Sequence, residues 1–142
     1  MPDPRADVQP LLDRLLAGDP LACARALSWV EEMDARSDAV LAALFPRLGR
    51  AWRVGLAGPP GAGKSTLSLE LARAWRARGW RVGVVAVDPT SPLSGGALLG
   101  DRIRLRDLAT DPGVFIRSLA SRGSLGGLSL AAGRVADVLD AF

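Results

Sequence analysis

Through the first fifty positions apolar residues recur at helical spacing. Beyond them, short apolar runs alternate with amphipathic stretches. Val8, Leu11, Leu12, Leu15 and Leu16 mark one helical face, and Gly18 ends that run. Asp19-Pro20 follows as an N-cap and a first-position proline, so a second helix is expected from Leu21 to Met33. Ala24, Leu27 and Met33 are among its apolar residues. Ser37 is expected to cap a third helix through Val40, Leu41, Leu44 and Phe45, which Pro46 interrupts. Residues 1–50 therefore predict a small helical extension whose apolar stripes serve as core.

From residue 51 the period changes. Arg53-Val54-Gly55-Leu56-Ala57 reads as a short buried strand. Residues 64–78 read as a helix with Leu67, Leu71 and Trp75 at i, i+4 and i+8, and Gly79 as its stop. Arg81 to Val87 is almost wholly apolar, which predicts an interior parallel strand covered on both faces. A short helix over Asp101–Ala109, a strand over Val114–Leu119 and a helix over residues 126–141 complete the alternation. This order predicts an α/β domain over 51–142, with a parallel sheet and ligands at the carboxyl ends of its strands.

Composition narrows the field. With 142 residues, 49% hydrophobic and 23% charged, the chain can bury a core and is not of the disordered class. Its net charge of +3 comes from arginines scattered over several helices, so nucleic-acid binding is not expected. The absence of histidine excludes histidine-based triads and histidine metal ligands. Cys23 is the sole cysteine, which rules out an intrachain disulfide and suits a reducing, cytoplasmic setting. Its apolar helix predicts a buried structural thiol. No signal peptide and no membrane-spanning run is expected.

The chemistry concentrates in one stretch. Gly58-Pro59-Pro60-Gly61-Ala62-Gly63-Lys64-Ser65 is a complete G-x-x-x-x-G-K-S loop, and Lys64 is the only lysine of the chain. Glycines let consecutive backbone N–H groups turn inward as an anion nest. The helix that follows adds its N-terminal amides and the positive end of its dipole. Lys64 would reach the β- and γ-phosphates, the Ser65 hydroxyl would ligate Mg²⁺, and Thr66 offers a hydroxyl to the α-phosphate. A Gly/Pro turn that merely ends in Lys-Ser is the plain alternative; the strand–loop–helix order favours a P-loop nucleoside triphosphate site.

Three further candidates stand around that loop. Asp88 ends the second strand in Asp88-Pro89-Thr90-Ser91, placed to hold Mg²⁺ or orient a water, or simply to form an Asp-Pro turn. Asp101 closes the glycine-rich run Ser94–Gly100, as a switch residue over Mg²⁺ and γ-phosphate or as a helix N-cap. Arg117 and Arg122, with Gly123-Ser124-Leu125-Gly126-Gly127, form either a phosphate or partner contact or a solvated surface turn.

Taken together, GLAGPPGAGKSTL, VAVDPTSPLSGGALLGDRIRL and FIRSLASRGSLGGLS resemble the methylmalonyl-CoA mutase-associated GTPases, the MeaB or ArgK type, over about residues 10–142. The resemblance implies a GTPase that binds GTP or GDP with Mg²⁺ and acts as chaperone of an adenosylcobalamin-dependent mutase. It implies homodimeric full-length relatives. It implies Lys64 and Asp101 as residues supporting hydrolysis, and Ser65, Asp88 and Asp101 as the metal set. Such proteins continue into a Glu-Thr-Val-Gly strand of switch II and an Asn-Lys-x-Asp guanine motif, and neither occurs in these residues. The expectation is thus the N-terminal portion of such a protein, an incomplete P-loop domain of low solubility and little turnover by itself. A P-loop kinase of a small metabolite and a nucleotide-binding remnant without hydrolysis are the alternatives.

Overall fold

Residues 7–88, 106–120 and 130–142 are described by the computed structural model. Over them run α1 (Val8–Leu16), α2 (Pro20–Glu31), α3 (Ser37–Leu44), a 3-10 turn (Phe45–Arg47), α4 (Lys64–Ala77), β1 (Val82–Asp88), α5 (Arg106–Ala109), β2 (Val114–Ala120) and α6 (Leu130–Ala141). They divide into two units, Met1–Trp52 with Leu128–Phe142, and Arg53–Gly127.

The first unit is helical. Val8, Leu11, Leu12 and Leu15 of α1 are buried, as their spacing predicts. Gly18 ends the helix with φ +87°, while its N–H and that of Asp19 close onto Leu15 and Arg14 carbonyls. The Asp19 carboxylate then caps α2, accepting from the N–H of Leu21 (2.9 Å) and Ala22 (3.4 Å). Ala22, Cys23, Ala26, Leu27, Trp29 and Val30 form the buried face of α2. Cys23 is the buried thiol its surroundings predicted.

Three expectations fail here. Met33 is not on the apolar face of α2, which ends at Glu31; it is exposed, at φ +52°. Asp34 explains why: its N–H bonds to the Trp29 carbonyl, and its carboxylate grips the N–H and guanidinium of Arg36, closing a turn at that point. Ser37 does not cap α3 but is its first residue, buried, with its hydroxyl accepting from Arg134 (3.1 Å). Phe45 turns outward in the 3-10 turn, away from the buried Val40 and Leu44.

α6 packs on α2 and α3 through the fully buried Val135 and Val138. It therefore groups with the N-terminal helices, whereas its sequence position alone placed it with residues 51–142. Asp140 reinforces this, since its carboxylate accepts from three consecutive backbone N–H groups, Gly49 (2.9 Å), Arg50 (3.1 Å) and Ala51 (2.8 Å).

In the second unit β1 and β2 pair in parallel, with Val82 opposite Val114 and Asp88 opposite Ala120. Ala72, Val82 and Leu108 form its core, with Leu69, Trp75, Val84, Val114 and Ile116 against them. Only one sheet face takes part in that cluster; on the other, Leu119, opposite Val87, is fully buried, while Val85 and Val87 are half-buried. The expected stripe of α4 holds at Trp75, which packs on the core, and fails at Leu67, which is half exposed; the buried residue is Ala72. Arg53–Ala57 is no strand. Those residues are exposed, and β1 has β2 as its described partner, so no ladder converts their apolar alternation into strand. No described helix is long and apolar enough to cross a membrane.

Candidate phosphate-binding site

The loop at 58–65 leads directly into α4, whose first residue is Lys64. Gly61 (φ +77°) and Gly63 (φ +87°) take left-handed backbone, and nothing lies within 4 Å of where a Cβ would stand at either. Their requirement is torsional: an L side chain there meets its own backbone. The Ala62 N–H bonds to the Pro59 carbonyl (3.3 Å), and the Leu67 N–H to Gly63 (2.9 Å) starts the helix ladder. Lys64 folds back across the loop, donating from Nζ to the carbonyls of Gly58 (2.7 Å) and Pro59 (2.9 Å).

The start of α4 differs from that of α2 in a way that matters chemically. In α2 the carboxylate of Asp19 satisfies the first amides. In α4 the N-cap is Gly63, which has no side chain to do so, and the first turn holds no acidic residue. Its positive dipole end is left for an anion from outside the helix. Ser65 is half-buried and Thr66 exposed, both in this first turn. Glycine nest, helix terminus and ammonium on one exposed loop suit a phosphate chain.

The other candidates are less gathered. Asp88 closes β1 at the carboxyl end of the strand pair; its side chain, with Pro89 and Thr90, lies outside the described residues. Asp101, the Ser94–Gly100 run, Arg122 and Gly123–Gly127 lie outside them too. Arg117 sits mid-strand in β2 opposite Val85, half-buried. Among the described residues no group of three acids or cysteines is placed to hold a metal, so Ser65 is the Mg²⁺ candidate whose position is seen.

Sequence reasoning missed one group beside the loop-bearing helix. Arg76, near the end of α4, donates from Nε and Nη2 to both carboxylate oxygens of Asp111, each at 2.9 Å. Asp111 also accepts from the Gly113 N–H (2.7 Å). Arg76 foremost, and then the Gly113 N–H, hold the Asp111 carboxyl below its ordinary range. Asp111-Pro112-Gly113 was legible as an Asx turn, but its arginine partner lies 35 positions away.

Comparison with known proteins points to one family. The sequence pattern of the family described as Methylmalonyl Co-A mutase-associated GTPase MeaB matches residues 23–142. A Pyrococcus horikoshii protein provisionally named a GTPase is 51% identical over 135 residues, 95% of this chain and 43% of its own length. GTPase ArgK of Escherichia coli is 42% identical over 120 residues, 82% of this chain and 36% of its own. The mouse protein named methylmalonic aciduria type A homolog, mitochondrial, is 47% identical over 78 residues, 55% of this chain and 19% of its own. The chain thus spans less than half the length of these relatives.

Proposed function

The chain belongs to the family of methylmalonyl Co-A mutase-associated GTPases of the MeaB type, and from that membership we propose that its 58–66 loop binds the triphosphate of GTP. Residues 53–127 contribute the N-terminal part of a P-loop GTPase domain, and residues 1–50, with α6 packed on them, are its helical extension. The observation that carries the reading is the loop itself: two left-handed glycines, an uncapped helix start and Lys64 within one short turn. Lys64 supports the β- and γ-phosphates, the amides of residues 61–66 surround the phosphate oxygens, and Ser65 holds Mg²⁺ with Asp88 and Asp101.

In that role Ser65, with Asp88 and Asp101, would hold Mg²⁺, which would supply charge neutralisation to the phosphates, while the chain's own residues bind and orient; transfer to water needs no covalent protein intermediate. The whole protein would hydrolyse GTP in the cytoplasm as chaperone of an adenosylcobalamin-dependent acyl-CoA mutase; the family's description, a GTPase associated with methylmalonyl Co-A mutase, supports the mutase as partner. In the full-length protein, displacement of a fluorescent guanine nucleotide by GTP and by ATP tests the reading, with Lys64→Ala beside the wild type. GTP should displace the label, ATP should not, and Lys64→Ala should fail to bind it. Equal displacement by both nucleotides would overturn the guanine assignment, and unchanged binding by Lys64→Ala would overturn the site.

A further inference from the structure

Three features make the far end of α4 more than a helix terminus. First, the Arg76 guanidinium joins three segments: both oxygens of Asp111 before β2, the Trp80 carbonyl before β1 (2.6 Å from Nη1), and α4 itself. The Val82 N–H to Gly113 carbonyl bond (2.9 Å) ties the same two strand starts together. Second, the site is shaped for that guanidinium. A Cβ on Gly113 would overlap Cζ and both terminal nitrogens of Arg76, so the arginine lies where any other residue at 113 would put a side chain. Third, the apolar packing of α4 runs from Leu69 through Ala72 to Trp75 and leaves out its first turn. Ala72 is its buried residue, and Leu67, one turn from the loop, is half exposed.

We propose that Arg76 is a positioning residue for the phosphate loop: its guanidinium sets the tilt and seat of α4, and so where Lys64 and Ser65 meet the nucleotide. The inference rests on the nucleotide reading above. The lever is long. Lys64 lies about 12 Å along the axis from Ala72, so a tilt of about 10° there would carry Lys64 about 2 Å. A misplacement of about 1 Å at a site of this kind can cost on the order of a hundredfold. Leu69, Ala72 and Trp75 seat the helix by non-directional packing; the planar fork, bound at three points, fixes its angle.

Arg76→Met and Arg76→Lys test this against Leu108→Ala, which loosens the same core without touching the polar link. One readout is Mg²⁺-GTP affinity, compared at temperatures equally far below each variant's Tm. The other needs no nucleotide: the spin-label distance between Thr66→Cys and Thr110→Cys, both exposed positions, in a Cys23→Ala background. Both Arg76 variants should weaken GTP about tenfold or more and shift or broaden the distance by about 2 Å, since lysine lacks the fork. Leu108→Ala should leave both near wild type. An unchanged distance in Arg76→Met, or the same loss of affinity in Leu108→Ala, overturns the proposal. If wild-type protein binds no GTP, the nucleotide reading fails and the distance still decides the role of Arg76.

Discussion

Replacing Gly61 or Gly63 by alanine should weaken nucleotide binding without touching a phosphate contact. Both glycines hold left-handed φ, +77° and +87°, and no atom lies within 4 Å of the added methyl. Sterics against the rest of the protein therefore contribute nothing, and the whole effect is backbone conformation. Holding an L residue in that region costs about 1–2 kcal/mol. The loop is exposed, so the unliganded variant relaxes to another shape and its melting temperature barely changes. Nucleotide must then select the minor, loop-competent form, and its apparent Kd rises by the same factor, about 5- to 30-fold per substitution.

Titration of Mg²⁺-GTP by calorimetry checks this, with Gly55→Ala as the control. Gly55 has neither left-handed φ nor a neighbour within 4 Å, and its variant should bind within about twofold of wild type. Wild-type affinity in both Gly61→Ala and Gly63→Ala would refute the reasoning, because the loop would then not bind phosphate in this shape. A loss beyond about a thousandfold would refute the torsional account as well, pointing to direct exclusion of the ligand by the methyl.

Other perturbations have defined outcomes. Gly113→Ala should lower the melting temperature in wild-type background and be tolerated in Arg76→Met, a coupling that a double-mutant thermal cycle reads directly. Asp140→Ala should speed amide exchange at Gly49, Arg50 and Ala51 by about tenfold or more, and Asp140→Asn, which keeps one carbonyl oxygen, by less. The Asp34 carboxyl is pulled down to about 2 from 3.8, chiefly by Arg36. Its contribution is therefore complete above pH 3.8 and is lost as pH falls through about 2. Carboxyl NMR titration should show that midpoint, and Arg36→Gln should raise it toward 3.8, with the backbone N–H of residue 36 still holding it lower.

How far the sequence disclosed this structure depended on the range of each interaction. Local chemistry was legible. Asp19-Pro20 started α2, Gly18 and Gly79 ended their helices in left-handed turns, and the apolar run at 81–87 became β1, Val82–Asp88. Partners distant in sequence were not. Periodicity gives a helix an apolar face but not the surface that covers it, so α6 could not be assigned to α2 and α3 from its pattern. The Ser37 hydroxyl reads as a cap until Arg134, 97 residues on, claims it. Arg53–Ala57 has strand-like residues, but a strand is defined by its neighbour. The phosphate loop was the most legible site because its chemistry is carried by consecutive residues, whereas the Arg76–Asp111 link spans 35.

The central claim, that residues 58–66 hold the triphosphate of GTP, is tested most directly by titrating Mg²⁺-GTP into ¹⁵N-labelled protein and following the backbone amides. The account predicts that the resonances of Gly61 through Thr66 move together, saturate with one Kd, and stay in place in Lys64→Ala. Saturable shifts confined to other residues, or no saturable shift in wild-type protein, would contradict it.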